Sequence, residues 1–324
     1  MDHDSLPDRL AARTRGRAGA LALVSPESTT CAHHDCSPVA QFEIGSISKG
    51  VTGLLYHVGV ERAEVNPATR LGELLPLAGS VAGGVVLADL ATHSSGLPRI
   101  LGTHLLRRTL DHYRDGTNPY PEGLDELFEA ARKALPHRGR PVYSNAGFQL
   151  LGHALGAAAG VTYAELVRTR LAEPLGLSPC HVPASAEELP PSALAGYAGR
   201  RPVDPWLGAA IGPAGGIRAS VEALAGLAKA LLDGTAPGVT ALDPVKDFAG
   251  PAVRIGAGWF TTDRRNRGVL TWHNGGTGGF RSWLGLRRDL GLAVVVLGAS
   301  SRSVDALGLT LLDELATRRT DAAG

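Results

Sequence analysis

The chain has 324 residues, a length that fits one large domain or two interlocked ones. Its 32 Lys and Arg residues balance 31 Asp and Glu residues, so no basic excess exists with which to bind a nucleic-acid backbone. A hydrophobic fraction of 44% with 19% charged residues is ordinary for a globular enzyme and excludes wholesale disorder. Only four residues are lysines, so a lysine inside a motif is less often accidental here.

Cysteine usage and the first residues predict the compartment. Cys31, Cys36 and Cys180 cannot all pair within one chain, and an odd, low count favours a reducing environment. The N-terminal segment MDHDSLPDRL lacks the basic-then-apolar order of a signal peptide. No stretch approaches the roughly 20 apolar residues of a membrane span. We therefore expect a cytoplasmic protein with no membrane partner.

Taken in chain order, the predicted elements place strands near both ends of the chain and helices between them. A short polar helix near residues 5–13 precedes two strands, at 19–24 and 28–33. The clearest helices of the middle are expected over 47–58, 123–134, 146–158 and 163–171. An antiparallel meander follows at 252–261, 269–273, 279–286 and 292–297, and a last helix at 304–318.

This order of elements predicts an α+β fold. Residues 1–45 and 205–324 would form a discontinuous subdomain that contains the sheet, and residues 46–204 would form a mainly helical subdomain. The active site is expected at the interface between the two subdomains.

The segment FEIGSISKG holds a serine and a lysine three residues apart, Ser46 and Lys49. Residues at this spacing lie on one face of a helix. A serine that opens a helix has free backbone amides and the positive end of the helix dipole around its oxygen. The hydroxyl becomes a nucleophile when a neighbouring group takes its proton, as a partly desolvated lysine can do. By itself, the pattern is equally compatible with a capping serine beside a surface lysine.

A second motif, Tyr143-Ser144-Asn145, lies about a hundred residues further on. Residues two apart in an extended loop point the same way, so Tyr143 and Asn145 can reach one cleft. A tyrosine beside an ammonium group can exist as phenolate. It would then act as general base toward Ser46 and as acid toward the leaving group. The alternative is a helix capped by Asn145 after a buried tyrosine.

The third motif is WHNGGTGGFRS, residues 272–282. On a strand, His273 and Gly275 face the same side, and glycine lets a substrate approach the backbone. The Gly276 amide can join the Ser46 amide in an oxyanion hole, where loss of one donor costs about 10²–10³ in rate. The alternative is a glycine-rich hairpin turn. Arg281 either binds a substrate anion or is a solvated charge at a strand end.

Other residues have side chains suited to binding or catalysis, but their sequence context supports such a role less strongly. Trp206 is the best candidate among the tryptophans to line a substrate pocket. His93, in ATHSSGLPR, is expected to be a loop-packing residue rather than a catalyst. The run CAHHDC at 31–36 has residue types that bind metals, but six consecutive side chains cannot all turn inward. We therefore expect no metal and no cofactor.

With these motifs in this order, the sequence resembles the serine β-lactamase and penicillin-binding protein superfamily. It is most similar to the branch that holds class C β-lactamases, D,D-carboxypeptidases, D-aminopeptidases and related esterases. Segments 88–99, 213–225 and 256–260 also resemble that branch, and the resemblance covers roughly residues 17–318. It implies a β-lactamase/transpeptidase-like fold, with an antiparallel sheet flanked by terminal helices and an inserted helical subdomain.

The resemblance also implies roles for the motif residues. Ser46 would be the acylated nucleophile, Lys49 and Tyr143 the proton-transfer pair, and Asn145 would hold the substrate or Lys49. His273 takes the position that β-lactamases usually give to the lysine of Lys-Thr-Gly. Because histidine is largely neutral at pH 7, this departure weakens the case for a fixed cation beside a substrate carboxylate. His-x-Gly is common among the esterase and aminopeptidase relatives and therefore favours them.

The expected function is that of a serine acyl-enzyme hydrolase acting on a small-molecule ester or amide. The alternative is a transacylase that passes the acyl group from Ser46 to an amine or alcohol in specialised, antibiotic metabolism. A third hypothesis is a non-catalytic binding protein on the same scaffold. The acyl donor, the acceptor and the oligomeric state are left open by the sequence.

Overall fold

The computed structural model describes residues 5–101, 105–120, 123–137 and 141–323, and these form an α+β fold as predicted. The helices are α1 Leu6–Thr14, α2 Ile47–Glu61, α3 Leu71–Leu74, α4 Leu87–Ala91, α5 Leu105–Asp115, α6 Leu124–Arg132, α7 Asn145–Ala159, α8 Tyr163–Val167, α9 Glu173–Leu175, α10 Gly212–Gly215, α11 Val221–Asp233 and α12 Asp305–Ala323. The strands are β1 Gly19–Val24, β2 Thr29–His34, β3 Phe42–Glu43, β4 Cys180–His181, β5 Gly196–Ala198, β6 Arg201–Val203, β7 Arg218–Ala219, β8 Lys246–Asp247, β9 Val253–Ile255, β10 Phe260–Asp263, β11 Val269–Gly276, β12 Arg281–Arg287 and β13 Leu292–Gly298.

The main sheet joins the two ends of the chain. Its eight strands lie in the order β2-β1-β13-β12-β11-β10-β9-β8, and all neighbours are antiparallel. The N-terminal hairpin is added to the C-terminal meander through β1 and β13, where Leu21 lies opposite Val296. Two smaller sheets, β3-β7-β4 and β5-β6, lie outside it.

Apolar side chains on both faces of the central strands bury the sheet between helices. On one face, Leu21 and Val294 pack with residues of the terminal helices α1 and α12, among them Leu10 and Leu312. On the other face, alternate residues of β1 and β13 belong to the larger core, which contains most of α2, α7 and α11. The period-2 alternation of strand side chains produces these two cores.

Helix α2 is the buried centre of the larger core. A Cβ atom on Gly53 of this helix would lie 1.8 Å from the Ala257 carbonyl oxygen. The 256–259 segment therefore packs directly on the helix backbone, and Trp259 Nε1 donates to the Gly50 carbonyl oxygen at 3.1 Å. This contact holds α2 against the sheet.

The same contact explains where one predicted strand is wrong. Residues 252–261 form two strands, β9 and β10, separated by a turn in which Gly258 has φ +72°. The 163–171 helix is present but passes into a π-helical turn at Arg168–Ala172. Helices α5 and α11 were not predicted, while the strands at 19–24, 269–273 and 292–297 are confirmed. The subdomain boundaries stay a prediction.

Among the described residues, no single helix has the length and apolar character needed to cross a membrane. A bent pair, Asn145–Ala159 with Tyr163–Leu175, passes that test jointly, on length and composition alone.

Candidate active site

Ser46 lies at the N-terminus of α2, where the sequence places it. The turn before it contacts the end of β11 at distances that only glycine permits. A Cβ atom on Gly45 would lie 2.6 Å from the Gly276 nitrogen, and one on Gly275 would lie 2.1 Å from the Ile44 carbonyl oxygen. Ser282 on β12 completes this contact by donating to the same Ile44 oxygen at 2.6 Å. These glycines bring the Gly276 backbone beside Ser46.

Lys49 follows Ser46 by one helical turn, and its amine reaches the serine hydroxyl. Nζ lies 2.9 Å from Ser46 Oγ and donates to the Ala214 carbonyl oxygen at 2.5 Å. The side chain is completely buried. Burial, with a smaller contribution from the Arg99 charge, holds the pKa of Lys49 well below its usual range. The amine can therefore be neutral, with a lone pair available to accept the Ser46 proton.

Tyr143 lies on the other side of the amine, with the centre of its ring 4.9 Å from Lys49 Nζ. Burial raises the pKa of Tyr143, and a hydrogen-bonding interaction with Ser46 offsets this only in part. The phenolate predicted from the sequence is therefore disfavoured, because burial also disfavours the ammonium charge that would stabilise it. Burial thus favours the neutral forms of both the amine and the phenol beside the serine.

Asn145 is not placed as predicted. Ser144, rather than Asn145, caps α7 by accepting from the Gly147 amide at 2.9 Å, so Asn145 is already helical and no longer follows the two-residue period of Tyr143. Its Nδ2 donates to the Tyr120 hydroxyl at 2.5 Å. Its Oδ1 is buried and has no partner among the described residues. Lys49 is held by Ala214 instead.

His273 lies on β11 and is almost fully buried. Its ring is 1% exposed and packs on Phe260 with the ring centres 5.3 Å apart. Nδ1 lies 2.6 Å from the Asn274 carbonyl oxygen, to which it donates. Burial, with a smaller effect of Lys49, lowers the pKa of His273 to about 3. The ring is therefore neutral, and its centre lies 6.4 Å from that of Tyr143, so His273 borders the buried side of the site.

A cavity of about 550 Å³ opens beside Ser46, a volume typical of small-molecule sites. Ser46, Tyr143 and the strand residues Asn274, Gly275 and Gly276 form one wall, which we call the reacting wall. Five further side chains line the cavity and together form what we call the substrate wall: Arg99, His112, Tyr120, Trp206 and Arg281. The cavity has room for a substrate whose carbonyl carbon meets Ser46.

Trp206 lines the cavity, and its place is fixed by a buried ion pair. Its ring meets Tyr120 edge to face at 4.8 Å between centres. Its backbone amide donates to the Glu43 carboxylate at 2.9 Å. Glu43 in turn pairs with Arg218 at 2.8 Å, and both of these side chains are almost fully buried. Only the tertiary structure shows this support.

Arg281 lines the cavity too and presses on the end of β11. Its Nη1 donates to the carbonyl oxygens of Thr277 and Phe280, each at 2.7 Å. Burial lowers the pKa of Arg281, and the negative charge of Asp305 opposes this effect. No carboxylate of the described residues forms a salt bridge with Arg281 or with Arg99. Sequence reasoning missed Arg99, although it ends the 88–99 segment, and it missed His112 and Tyr120, which lie outside every motif.

The cysteine- and histidine-rich run lies on β2 and the turn after it. His33 Nε2 lies 2.7 Å from a Glu222 oxygen, and the Cys36 thiol donates to the Gly19 carbonyl oxygen at 3.3 Å. Over the ranges that the structure describes, no group of three or more His, Cys, Asp or Glu side chains is arranged to hold a metal ion.

Comparison with known proteins gives one family and a shared fold. The sequence model of the family described as Beta-lactamase matches residues 8–317. Penicillin-binding protein 4* of Bacillus subtilis (strain 168) is 29% identical over 147 residues, which are 44% of this chain and 30% of that protein. The match therefore spans less than a third of the relative's length.

Solved structures extend the similarity to the whole chain. A class C beta-lactamase is 17% identical with a TM-score of 0.81, covering 97% of this chain and 94% of that one. A class C beta lactamase from Rhodobacter sphaeroides is 21% identical with a TM-score of 0.75, covering 91% and 92%. The β-lactamase/transpeptidase-like fold expected from the motifs is confirmed.

Proposed function

The chain belongs to the Beta-lactamase family, and from this premise we propose that it is a serine hydrolase that cleaves a small-molecule ester or amide through an acyl-enzyme on Ser46. The observation that carries the proposal is the 2.9 Å contact between Ser46 Oγ and the buried amine of Lys49. A neutral amine at this distance is a base matched to a serine hydroxyl.

Acylation begins with the transfer of the Ser46 proton to Lys49 Nζ. Ser46 Oγ bonds to the substrate carbonyl carbon, and the resulting oxyanion accepts hydrogen bonds from the amides of Ser46 and Gly276. The bond to the leaving group then breaks while the Tyr143 hydroxyl donates its proton to that group. Lys49 returns its extra proton to Tyr143, so the pair regains its neutral state.

Deacylation repeats these steps with a second nucleophile. Water gives up a proton to Lys49 Nζ as its oxygen attacks the ester carbonyl. The bond to Ser46 Oγ then breaks while Lys49 returns that proton to the serine oxygen. An amine or alcohol in place of water would make the protein a transacylase. From the sequence alone, we propose that the protein acts on small molecules in the cytoplasm, including those of specialised metabolism.

The remaining predicted residues have supporting roles in this proposal. Asn145 positions Tyr120 in the substrate wall, and His273 stiffens the strand that ends in the oxyanion donor Gly276. Trp206 contacts the apolar part of the substrate. Because Arg281 and Arg99 have no carboxylate partner among the described side chains, we propose that they favour an acyl donor with a negatively charged group.

The test is intact-protein mass after brief mixing with a p-nitrophenyl ester or, separately, a cephalosporin, with and without candidate amines. Wild type is expected to gain the mass of the acyl group, and Ser46→Ala is expected to gain none. Ser28→Ala, at an exposed serine of a turn, is the matched control and should behave as wild type. Loss of the adduct in buffer alone identifies a hydrolase; loss only with an amine, yielding an amide, identifies a transacylase. Adducts that persist in Ser46→Ala would contradict the proposed nucleophile.

A further inference from the structure

His93 holds the backbone on both sides of Tyr143. It lies just after α4 and has φ +56°, a left-handed conformation uncommon for a residue other than glycine. Its carbonyl oxygen accepts from the Val142 amide at 2.9 Å, and its Nδ1 accepts from the Ser144 amide at 3.1 Å. One residue thus supplies both acceptors for the two amides that flank Tyr143.

The imidazole ring of His93 also packs against the Tyr143 ring. The ring centres of His93 and Tyr143 are 4.5 Å apart, with an interplanar angle of 37°. The same imidazole contacts Phe148 of α7 at 4.8 Å. Because His93 is 1% exposed, its ring cannot move without displacing core side chains.

The hydrogen bonds fix the protonation of this ring. An amide is a donor, so Nδ1 must present a lone pair to Ser144 and the proton must be on Nε2. Burial lowers the pKa of His93 well below its usual range, and electrostatic repulsion from Lys49, His273 and Arg99 adds smaller effects in the same direction. A protonated ring would carry a donor at Nδ1 and lose the bond to Ser144. The hydrogen bond from Ser144 therefore requires a neutral His93 ring, and the buried position of the ring favours that neutral form.

We propose that His93 is a positioning residue for Tyr143: its two acceptors fix the backbone and its ring fixes the phenol, so that the hydroxyl stays at Ser46. This inference rests on the proposed acyl-enzyme function. It differs from the sequence-based expectation that His93 only packs a loop, because loop packing requires neither the Nδ1 acceptor nor contact with the reacting tyrosine. Misplacement of such a group by about 1 Å can cost about 10² in rate.

A matched pair of variants isolates the acceptor. Glycine and asparagine both tolerate the left-handed conformation, but only asparagine offers a side-chain oxygen near the place of Nδ1. We expect His93→Gly to slow single-turnover acylation by about 10², with KM changed by less than about threefold. We expect His93→Asn to recover about tenfold of that loss. The control His153→Leu, at a buried histidine on the far part of α7, measures the effect of general destabilisation.

The outcomes separate this inference from the proposed function. If wild type forms no Ser46 adduct, the proposed function fails. If wild type acylates but His93→Gly acylates equally fast, or His93→Asn is no faster than His93→Gly, the positioning role is wrong. A parallel loss of activity and stability in His93→Gly and His153→Leu would also overturn it.

A second measurement on the unmodified protein keeps the inference testable if the variants fail to fold. Nitrogen chemical shifts of ¹⁵N-labelled histidine should show His93 neutral, with the proton on Nε2, from about pH 5 to about pH 8. A proton on Nδ1, or titration of the ring in this range, would contradict the hydrogen bond from Ser144 and with it the proposal.

Discussion

The two walls of the cavity are built by different physical means. The reacting wall is held in place by close backbone contacts at Gly45, Gly275 and Gly276, and buried Lys49, whose pKa is lowered, contacts its serine. The substrate wall is formed by aromatic side chains and by two arginines without a carboxylate partner in the described part of the chain. Burial disfavours charged groups beside the serine of the first wall, whereas the second wall carries the positive charges of the two arginines.

This difference separates reaction class from substrate choice. Neutral groups at hydrogen-bonding distance from Ser46 serve any ester or amide, because they act on the carbonyl group alone. The substrate wall contacts the rest of the substrate, where a charged group or a ring distinguishes one acyl donor from another. Changes to the reacting wall should therefore lower every activity, and changes to the substrate wall should alter preference.

The largest expected effect comes from Gly275→Ala in the reacting wall. The new Cβ atom would lie 2.1 Å from the Ile44 carbonyl oxygen and 2.2 Å from Ser282 Oγ, so β11 must move away from the turn that carries Ser46. We expect acylation to fall by about 10² or more for every ester. Stability should fall by about 1–3 kcal/mol. Single-turnover acylation and denaturant unfolding measure the two effects.

Gly84→Ala is the matched control, since a Cβ atom there would meet no atom within 4 Å. It should leave acylation unchanged. Equal acylation by Gly275→Ala and wild type would show that the close contact is dispensable, and the reacting wall would then have no special construction.

Sequence reasoning found the reacting wall and missed most of the substrate wall for a physical reason. Ser46 and Lys49 are one helical turn apart, so their contact follows from helix geometry alone. Tyr120 and Arg99 reach the cavity through tertiary contacts that no local spacing encodes. The same limit explains the strand predicted over 252–261: its break at Gly258 comes from packing on α2, whose Lys49 carbonyl oxygen would lie 2.4 Å from an added Cβ atom.

Charge states were the other error, because they depend on burial rather than on neighbours in sequence. The phenolate prediction for Tyr143 relied on an ammonium group beside the phenol. Burial of Lys49 lowers the pKa of its amine, and burial of Tyr143 raises the pKa of its phenol, so both charged forms are disfavoured. His273 shows the same effect: burial lowers its pKa to about 3 and holds the ring neutral beside Tyr143.

A smaller effect is expected for Arg281→Gln in the substrate wall. Two p-nitrophenyl esters of equal chain length, one ending in a methyl group and one in a carboxylate, test for recognition of charge. Wild type should prefer the carboxylate ester in kcat/KM, and Arg281→Gln should lose about tenfold of that preference. The methyl ester should react with both proteins at similar rates, because Ser46 and Lys49 are unchanged.

Arg265→Gln, at an exposed turn between β10 and β11, is the control for loss of one positive charge. An equal loss of preference in this variant would mean that overall charge, not the cavity, selects the substrate. No preference in wild type would contradict the role of Arg281 while leaving the acyl-enzyme proposal intact.

The smallest expected effect links the two walls through Arg99. Acylation requires neutral Lys49, so its rate should fall as the pH drops through the pKa of that amine. Burial lowers this pKa most, and the Arg99 charge lowers it further. Arg99→Gln removes that repulsion, stabilises the ammonium form and should move the acidic inflection of the acylation rate to higher pH, by less than about one unit because Arg99 is exposed. Added salt should move the wild-type inflection the same way and leave the variant unchanged. An unchanged or lower inflection in Arg99→Gln would mean that the substrate wall exerts no electrostatic influence on the reacting wall.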